Sequence, residues 1–355
     1  MNRILLWDAA PGEIRLMLHE DGKLVELRLL RLLTNMPVLL PGCTTPVRLG
    51  AKIGARRALV HYDGGEGEIS PVPDCTEGSW LTAELTRAPY PEPGRWKRAV
   101  FRQAEVREFG LSDYILSLWL ELAAIVCAGP MQALQIRAIF GEPCPEIQID
   151  KSAIDAAQSD IWCERGITGE FVIEGGLISI ERTRAMTVID IDGFGAAHNV
   201  NLAAARAIPW LLRLYGIGGQ VGIDFLASAN KAERAGIDAE LGKACASLGQ
   251  HERTAVSGFG FAQLVLPRSN PSVMETLCGT AWKTPSLETQ ALMLLRDAAR
   301  SQGVGARELV ASADIIAQIE RWPCLLEELR NSLGCAITLR CDSSQNGYGH
   351  VHVSP

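Results

Sequence analysis

Residues 186–192 read Met186-Thr187-Val188-Ile189-Asp190-Ile191-Asp192, and residues 220–225 read Gln220-Val221-Gly222-Ile223-Asp224-Phe225. Between them lies a helix-compatible run, roughly Asn201 to Tyr215, closed by Gly216, Gly218 and Gly219. Strand, helix and strand in that order predict a parallel crossover unit, and with it an α/β fold. Alternate side chains of a strand share a face, so Asp190 and Asp192 fall together while Ile189 and Ile191 turn away. Parallel strands line their ligand crevice at their C-terminal ends, which predicts that Asp224 approaches Asp190. Carboxylates so gathered repel unless a cation or a proton neutralises them. Hard oxygen donors favour Mg²⁺ or Mn²⁺, and an ion held by one or two carboxylates plus water activates a hydroxide. The competing reading makes each aspartate a helix cap or turn acceptor, and spacing alone leaves both open.

Outward from this unit, strands are predicted at Glu170 to Ile173 and Leu177 to Arg182, joined by a hairpin turn at Gly175-Gly176. A helix over 229–248 and a strand at 254–257 extend the unit downstream. Upstream, residues 3–30 alternate short apolar runs with Pro11-Gly12 and Asp21-Gly22, the pattern of a β-meander. Short strand-like runs at Val47 to Leu49, Ala58 to Tyr62, around Ile69 and Trp80 to Leu85 suit a small barrel of the OB type. Residues 111–129 read as a buried helix capped by Ser112 or Asp113, Leu134 to Phe140 as a strand, and 152–157 as a helix. The tail reads as a smaller α/β unit: a helix at 286–301, a strand at 308–310 and a helical stretch interrupted by Pro323. A closing hairpin is expected to pair Cys335–Cys341 with Gly349–Val353.

The chain's 355 residues, 47% of them hydrophobic, supply enough apolar surface for two or three cores and exclude a disordered reading. A net charge of −7 gives no overall positive field for nucleic acid, so an RNA site must rest on a local basic patch or a bound metal. Ten cysteines without a Cys-x-x-Cys pair argue against a disulfide framework and a sulfur-ligated zinc site, and for a reducing, cytoplasmic setting. The apolar run Tyr114 to Met131 carries Glu121 and ends at Gly129-Pro130, which favours a buried helix over a membrane span.

The run from Gly175 to Asp190, GGLISIERTRAMTVID, resembles the signature of the ribonuclease E/G family. Asn201-Leu202-Ala203-Ala204-Ala205 resembles the start of that family's crossover helix, Gly218 to Phe225 its second metal strand, and Ser257-Gly258-Phe259-Gly260 the turn that follows. Weaker similarity at Arg3-Ile4-Leu5, Ala58 to Gly64 and Tyr348 to Val353 extends the resemblance over most of the chain. It implies a DNase-I-like catalytic domain over 159–275, with Asp190 and Asp224 as Mg²⁺ ligands and Asp192 assisting. It implies further an RNase-H-like subdomain from 1–35 plus 110–158, an OB-fold-like RNA-binding insert at 36–100, and a small C-terminal α/β domain at 276–355. The implied activity is internal cleavage of single-stranded RNA, leaving a 5′-phosphate.

This chain departs from the family pattern at identifiable places. Asp192 stands where the family usually has asparagine, and Arg184 where it has an acid. The barrel's stacking aromatics are replaced by Leu59 and Ile69, leaving Tyr62; Trp96 beside Arg95, Lys97 and Arg98 reads either as a compensating stacking surface or as a core tryptophan in a solvated basic loop. The basic run after Phe259-Gly260 has shrunk to Arg268, and Arg184 reads either as a phosphate contact replacing the lost acid or as a mark of decayed catalysis; the expected RNA contacts are Arg182, Arg184, Tyr62, Trp96, Lys97 and Arg268. No room remains for the segment that senses a 5′-monophosphate, which predicts no 5′-end preference. Only Cys278 stands near the family's zinc-link cysteine pair, so a homodimer would form without zinc. Three functions stay open: an endoribonuclease, a catalytically attenuated paralogue serving as an RNA-binding or protein scaffold, and a metal-dependent phosphodiesterase of small nucleotides.

Overall fold

The computed structural model describes residues 2–33 and 38–354. The expected boundary between the first subdomain and the barrel, at 35/36, lies outside them. The opening meander is β1 (Arg3–Ala10), β2 (Glu13–Glu20) and β3 (Lys23–Arg31), antiparallel throughout. A closed barrel follows, built from β4 (Thr44–Lys52), β5 (Ala58–Tyr62), β6 (Gly65–Ile69) and β7 (Trp80–Arg87). A small hairpin, β8 (Tyr90–Glu92) and β9 (Arg95–Lys97), then projects from it before β10 (Ala99–Gln103) closes the barrel, parallel to β6. Inward-facing Val47, Leu49, Val60, Ile69, Leu85 and Phe101 fill its core.

The chain then returns to the first sheet through α1 (Leu111–Leu118), β11 (Ala124–Cys127), α2 (Pro130–Phe140) and β12 (Glu146–Ile149), giving the order β12-β11-β1-β2-β3. Two expectations fail here. The single helix over 111–129 stops at Leu118, its N-cap is Gly110, and Ala124–Cys127 is a wholly buried strand between parallel β1 and β12. A short apolar run buried on both faces carries no periodicity that separates strand from helix. The strand expected at 134–140 lies within α2, begun by Gly129 at the N-cap and Pro130 in the first turn.

After α3 (Lys151–Ala156), a helix that the sequence reading missed, α4 (Ser159–Thr168), leads into the largest sheet. Its strands are β13 (Glu170–Ile173), β14 (Gly176–Arg182), β15 (Thr187–Gly193) and, after α5 (Ala197–Leu214), β16 (Gly219–Asp224). After α6 (Lys231–Cys245) come β17 (Glu252–Arg253) and β18 (Phe261–Leu266), in the order β13-β14-β15-β16-β18-β17. The expected strand at 254–257 is thus shorter and earlier. The sheet is one-sided: Ile178, Ile180, Ile189, Ile191, Val221, Ile223, Ala262 and Leu264 join Val200, Ala204, Ile208 and Leu211 of α5 in one core. The alternate positions face outward.

The tail comprises α7 (Val273–Cys278), α8 (Leu287–Arg300), β19 (Arg307–Ala311), α9 (Ala313–Glu320), α10 (Pro323–Leu333), β20 (Ile337–Cys341) and β21 (His350–Val353). The expected closing hairpin does not pair with itself, because β20 and β21 both pair with β19 between them. Leu309, Val310 and Ala311 are fully buried, and this apolar strand takes the centre while the more polar pair takes the edges. Among the described residues no helix is long and apolar enough to cross a membrane.

Candidate metal centre

Strands β15 and β16 run parallel in a register that sets Asp190 directly against Asp224. Neighbouring strands lie about 4.8 Å apart, so the two carboxylates start from adjacent backbone positions. Both face outward with Ser179, the cross-strand neighbour of Asp190, on the uncovered side of the sheet. Asp192, paired with Leu177, shares that side two residues further along. All three aspartates are exposed, and none pairs with a basic side chain or accepts a side-chain hydrogen bond among the described residues.

Local packing fixes the two strand ends. Asn201 of α5, fully buried, donates from Nδ2 to the Leu226 carbonyl at 2.8 Å and accepts from the Leu226 N–H at 3.0 Å. This two-point clamp holds the backbone just beyond Asp224. The sequence reading saw Asn201 only as a helix start, although a buried asparagine in an apolar helix signals a satisfied amide. The Phe225 N–H donates to the Gly260 carbonyl at 3.0 Å, and Gly260 adopts φ +82°, where a Cβ would meet the Phe225 carbonyl oxygen at 2.7 Å. Only glycine suits that approach. Exposed Phe194 and Phe259, at 81% and 95%, follow Asp192 and sit in the turn at Ser257–Gly260 respectively.

Two hard carboxylates, exposed and without a basic partner among the described residues, fit a Mg²⁺ or Mn²⁺ ion that keeps several waters and expects further oxygens from its substrate. Among the described residues no group of three or more His, Cys, Asp or Glu side chains converges into a fuller ligand cage, so Asp192 stands beside the pair rather than within a cluster.

The expected RNA contacts are dispersed. Trp96 is 60% exposed on the β8–β9 hairpin, and Lys97 lies 3.6 Å from Glu92. Tyr62 packs edge-on against Phe101 of the barrel core, with 5.0 Å between ring centroids. Trp80, which the sequence reading passed over, is 69% exposed and opposite Arg48, itself opposite His61. Arg182, Arg184 and Arg268 gather at the opposite end of the strands from Asp190 and Asp224. Arg182 donates to the Pro91 carbonyl at 2.7 Å, faces Glu275 at 3.5 Å and lies over the Trp282 ring. Arg184 donates to the Pro93 carbonyl at 3.3 Å, so both arginines hold the β8–β9 hairpin. Cys278 is buried, and burial pushes its thiol pKa up, with partial opposition from backbone hydrogen bonds and Arg182.

Residues 147–267 match the profile of the Ribonuclease E/G family. Ribonuclease G of Salmonella typhimurium is 32% identical over 116 residues, covering 29% of this chain and 23% of that protein. Ribonuclease G of Escherichia coli K12 matches to the same extent. A chloroplastic ribonuclease E/G-like protein of Arabidopsis thaliana is 31% identical over 137 residues, 32% of this chain and 13% of that protein. The matched part therefore spans less than a quarter of the curated relatives' length.

Proposed function

The chain belongs to the ribonuclease E/G family through residues 147–267, and from that premise we propose that it is a Mg²⁺-dependent endoribonuclease acting on single-stranded RNA. The observation that carries this reading is the direct register of Asp190 with Asp224, both carboxylates exposed and free of basic partners among the described residues. Asp190 and Asp224 would hold the ion, which when bound supplies a more acidic water and stabilises negative charge on the phosphodiester. Asp192, on the same face, orients the attacking water by accepting its hydrogen bond. That water's oxygen bonds to phosphorus as the bond to the 3′ oxygen breaks, and the departing oxygen takes up a proton. The products are a 3′-hydroxyl upstream and a 5′-phosphate downstream.

The clamp from Asn201 keeps Asp224 opposite Asp190 as charge builds, which is pre-organisation rather than contact with substrate. In this reading 159–275 is a DNase-I-like catalytic domain and 1–35 plus 110–158 an RNase-H-like support. Residues 36–100 form an OB-type insert that presents Tyr62, Trp96 and Lys97 to RNA, and 276–355 a small closing domain. Cleavage is indifferent to the 5′ end.

The test is cleavage of an unstructured fluorogenic RNA with Mg²⁺, with EDTA, and by the Asp190→Asn and Asp224→Asn variants, on 5′-phosphorylated and 5′-hydroxyl substrates. We expect cutting that needs the metal and both aspartates and treats the two substrates alike. No cutting by the folded protein with either Mg²⁺ or Mn²⁺ would replace this reading with a scaffold that binds RNA or a protein. Preference for a dinucleotide over long RNA would replace it with a small-nucleotide phosphodiesterase.

A further inference from the structure

Four arginines distant in sequence line one cavity of about 220 Å³: Arg87 at the end of β7, Arg182 at the end of β14, Arg184 just beyond it, and Arg268 after β18. Two carboxylates, Glu92 and Glu275, line it with them. Counting formal charges, four positive against two negative leaves the wall at about +2. The carboxylates are also shared elsewhere. Glu92 pairs with Arg95 at 2.8 Å and lies 3.6 Å from Lys97, while Glu275, which faces Arg182 at 3.5 Å and accepts from Arg268 within the cavity, also accepts from the Ser272 N–H at 2.8 Å. The guanidiniums of Arg87 and Arg268 both lie over the Tyr90 ring, 5.3 and 3.5 Å from its centroid, so two like charges are held against one side chain.

Each of three arginines here keeps a buried N–H group with no hydrogen-bond partner among the described residues: Nε of Arg87, Nη1 of Arg182 and Nε of Arg268. The Arg182 side chain is only 6% exposed. Buried cationic donors are rarely left unmatched, and three within one cavity call for an acceptor that can serve several at once. A tetrahedral oxyanion does so. The volume is below the roughly 300–1,000 Å³ of pockets that enclose drug-sized ligands, so it suits a phosphate group with anything attached to that group left outside.

We propose that this cavity, where the β8–β9 hairpin docks on the leading ends of β15 and β16, is a phosphate-binding site distinct from the aspartate pair. Arg182 lies opposite Thr187, three residues and about 10 Å along the sheet from Asp190. By strand alternation it points to the helix-covered face and Asp190 to the open one, so one phosphate cannot occupy both places. A bound phosphate would bridge Arg87 of the barrel, Arg182 of the large sheet and Arg268 of the following loop, and would brace the hairpin that carries Trp96.

The experiment is calorimetric titration of the full chain with inorganic phosphate in EDTA, against chloride at matched ionic strength, with melting temperature followed in parallel. We expect saturable binding with stabilisation, weakened at least about tenfold in Arg182→Gln. Arg87→Gln should act in the same direction and serves if Arg182→Gln does not fold. Glu92→Gln should tighten binding about threefold by removing a like charge, which a merely structural arginine cluster would not do. Asp190→Asn should leave binding unchanged, which separates this site from the proposed catalytic pair. Displacement of phosphate by a 5′-hydroxyl oligoribonucleotide would identify an RNA backbone phosphate as the ligand, and no displacement a free phosphate group. Absence of saturable binding to the folded wild-type protein up to about 20 mM phosphate, or binding unchanged in both arginine variants, would overturn the proposal.

Discussion

Two gatherings of acidic side chains in this molecule are built on opposite terms. On the open face of the large sheet, Asp190, Asp192 and Asp224 are exposed, with no base beside them among the described residues. Beneath the β1–β2 hairpin, Asp8 and Glu13 are 4% and 3% exposed, and arginines from distant elements surround them. Arg296 reaches Asp8 at 2.9 Å and Glu13 at 3.5 Å, Arg15 reaches Glu13 at 2.9 Å, and Arg300 reaches Asp8 at 2.8 Å. Ser159 donates to Asp8 at 2.5 Å, and Asp160 pairs with both Arg15 and Arg300. Burying a charge is costly unless it is paired, so the inner network has all its partners in the fold. The outer pair has none and fits a cation from solution. The inner carboxylates join β1–β2, α4 and α8, whereas the outer ones make no ion pair or side-chain hydrogen bond among the described residues.

The sharpest way to break this contrast is at the outer pair. Asp190→Asn and Asp224→Asn should each lower RNA cleavage by about a thousandfold or more, near 4 kcal/mol of transition-state stabilisation, while the thermal midpoint holds or rises as repulsion is relieved. A large fall in the midpoint would mean that the outer aspartates hold the fold together after all. The inner network should behave in reverse. Arg296→Met leaves buried acids short of a partner and should cost about 3 kcal/mol in urea unfolding, and an unchanged midpoint would erase the distinction.

Acid should sharpen it further. Burial alone would raise the Glu13 pKa, but Arg15, Arg296 and Arg31 outweigh burial and hold it at about 2, from an ordinary 4.5. Asp8 is also lowered, with Arg296, Arg300 and Ser159 overcoming burial. A depressed folded-state pKa contributes stability that is complete above the unfolded value and lost as pH falls through the folded one. We therefore expect about 2–3 kcal/mol to disappear between about pH 4.5 and pH 2, with a shallower loss in Arg296→Met, followed by circular dichroism against pH. The smallest effect concerns the clamp. Asn201→Ala should cost about 1–2 kcal/mol and lower the cleavage rate more than RNA affinity, since it frees the segment after Asp224 without touching substrate. An affinity loss equal to the rate loss would argue against positioning.

Much of this was legible from side-chain period and turn chemistry. The crossover unit, the hairpin at Gly175-Gly176 and the meander at 3–30 follow from local rules and appear in the structure. The strand at Ala124–Cys127 was hidden because burial on both faces removes the alternation by which strands are recognised. The tail misled for another reason: Asn346-Gly347 is a strong hairpin signal, yet β19 offered a more apolar strand for both segments to pair with.

The sequence by itself determined that Asp190 and Asp192 share a face and that Asp224 follows on a parallel strand, because those facts depend on backbone period and crossover order alone. Only the tertiary structure decided which charges would be free and which spoken for. Asp8 and Arg296 are separated by most of the chain yet in contact, and Arg87, Arg182 and Arg268 meet in one cavity although no local pattern links them. Electrostatic energy depends on distance in space and on burial, and neither is written in separation along the chain.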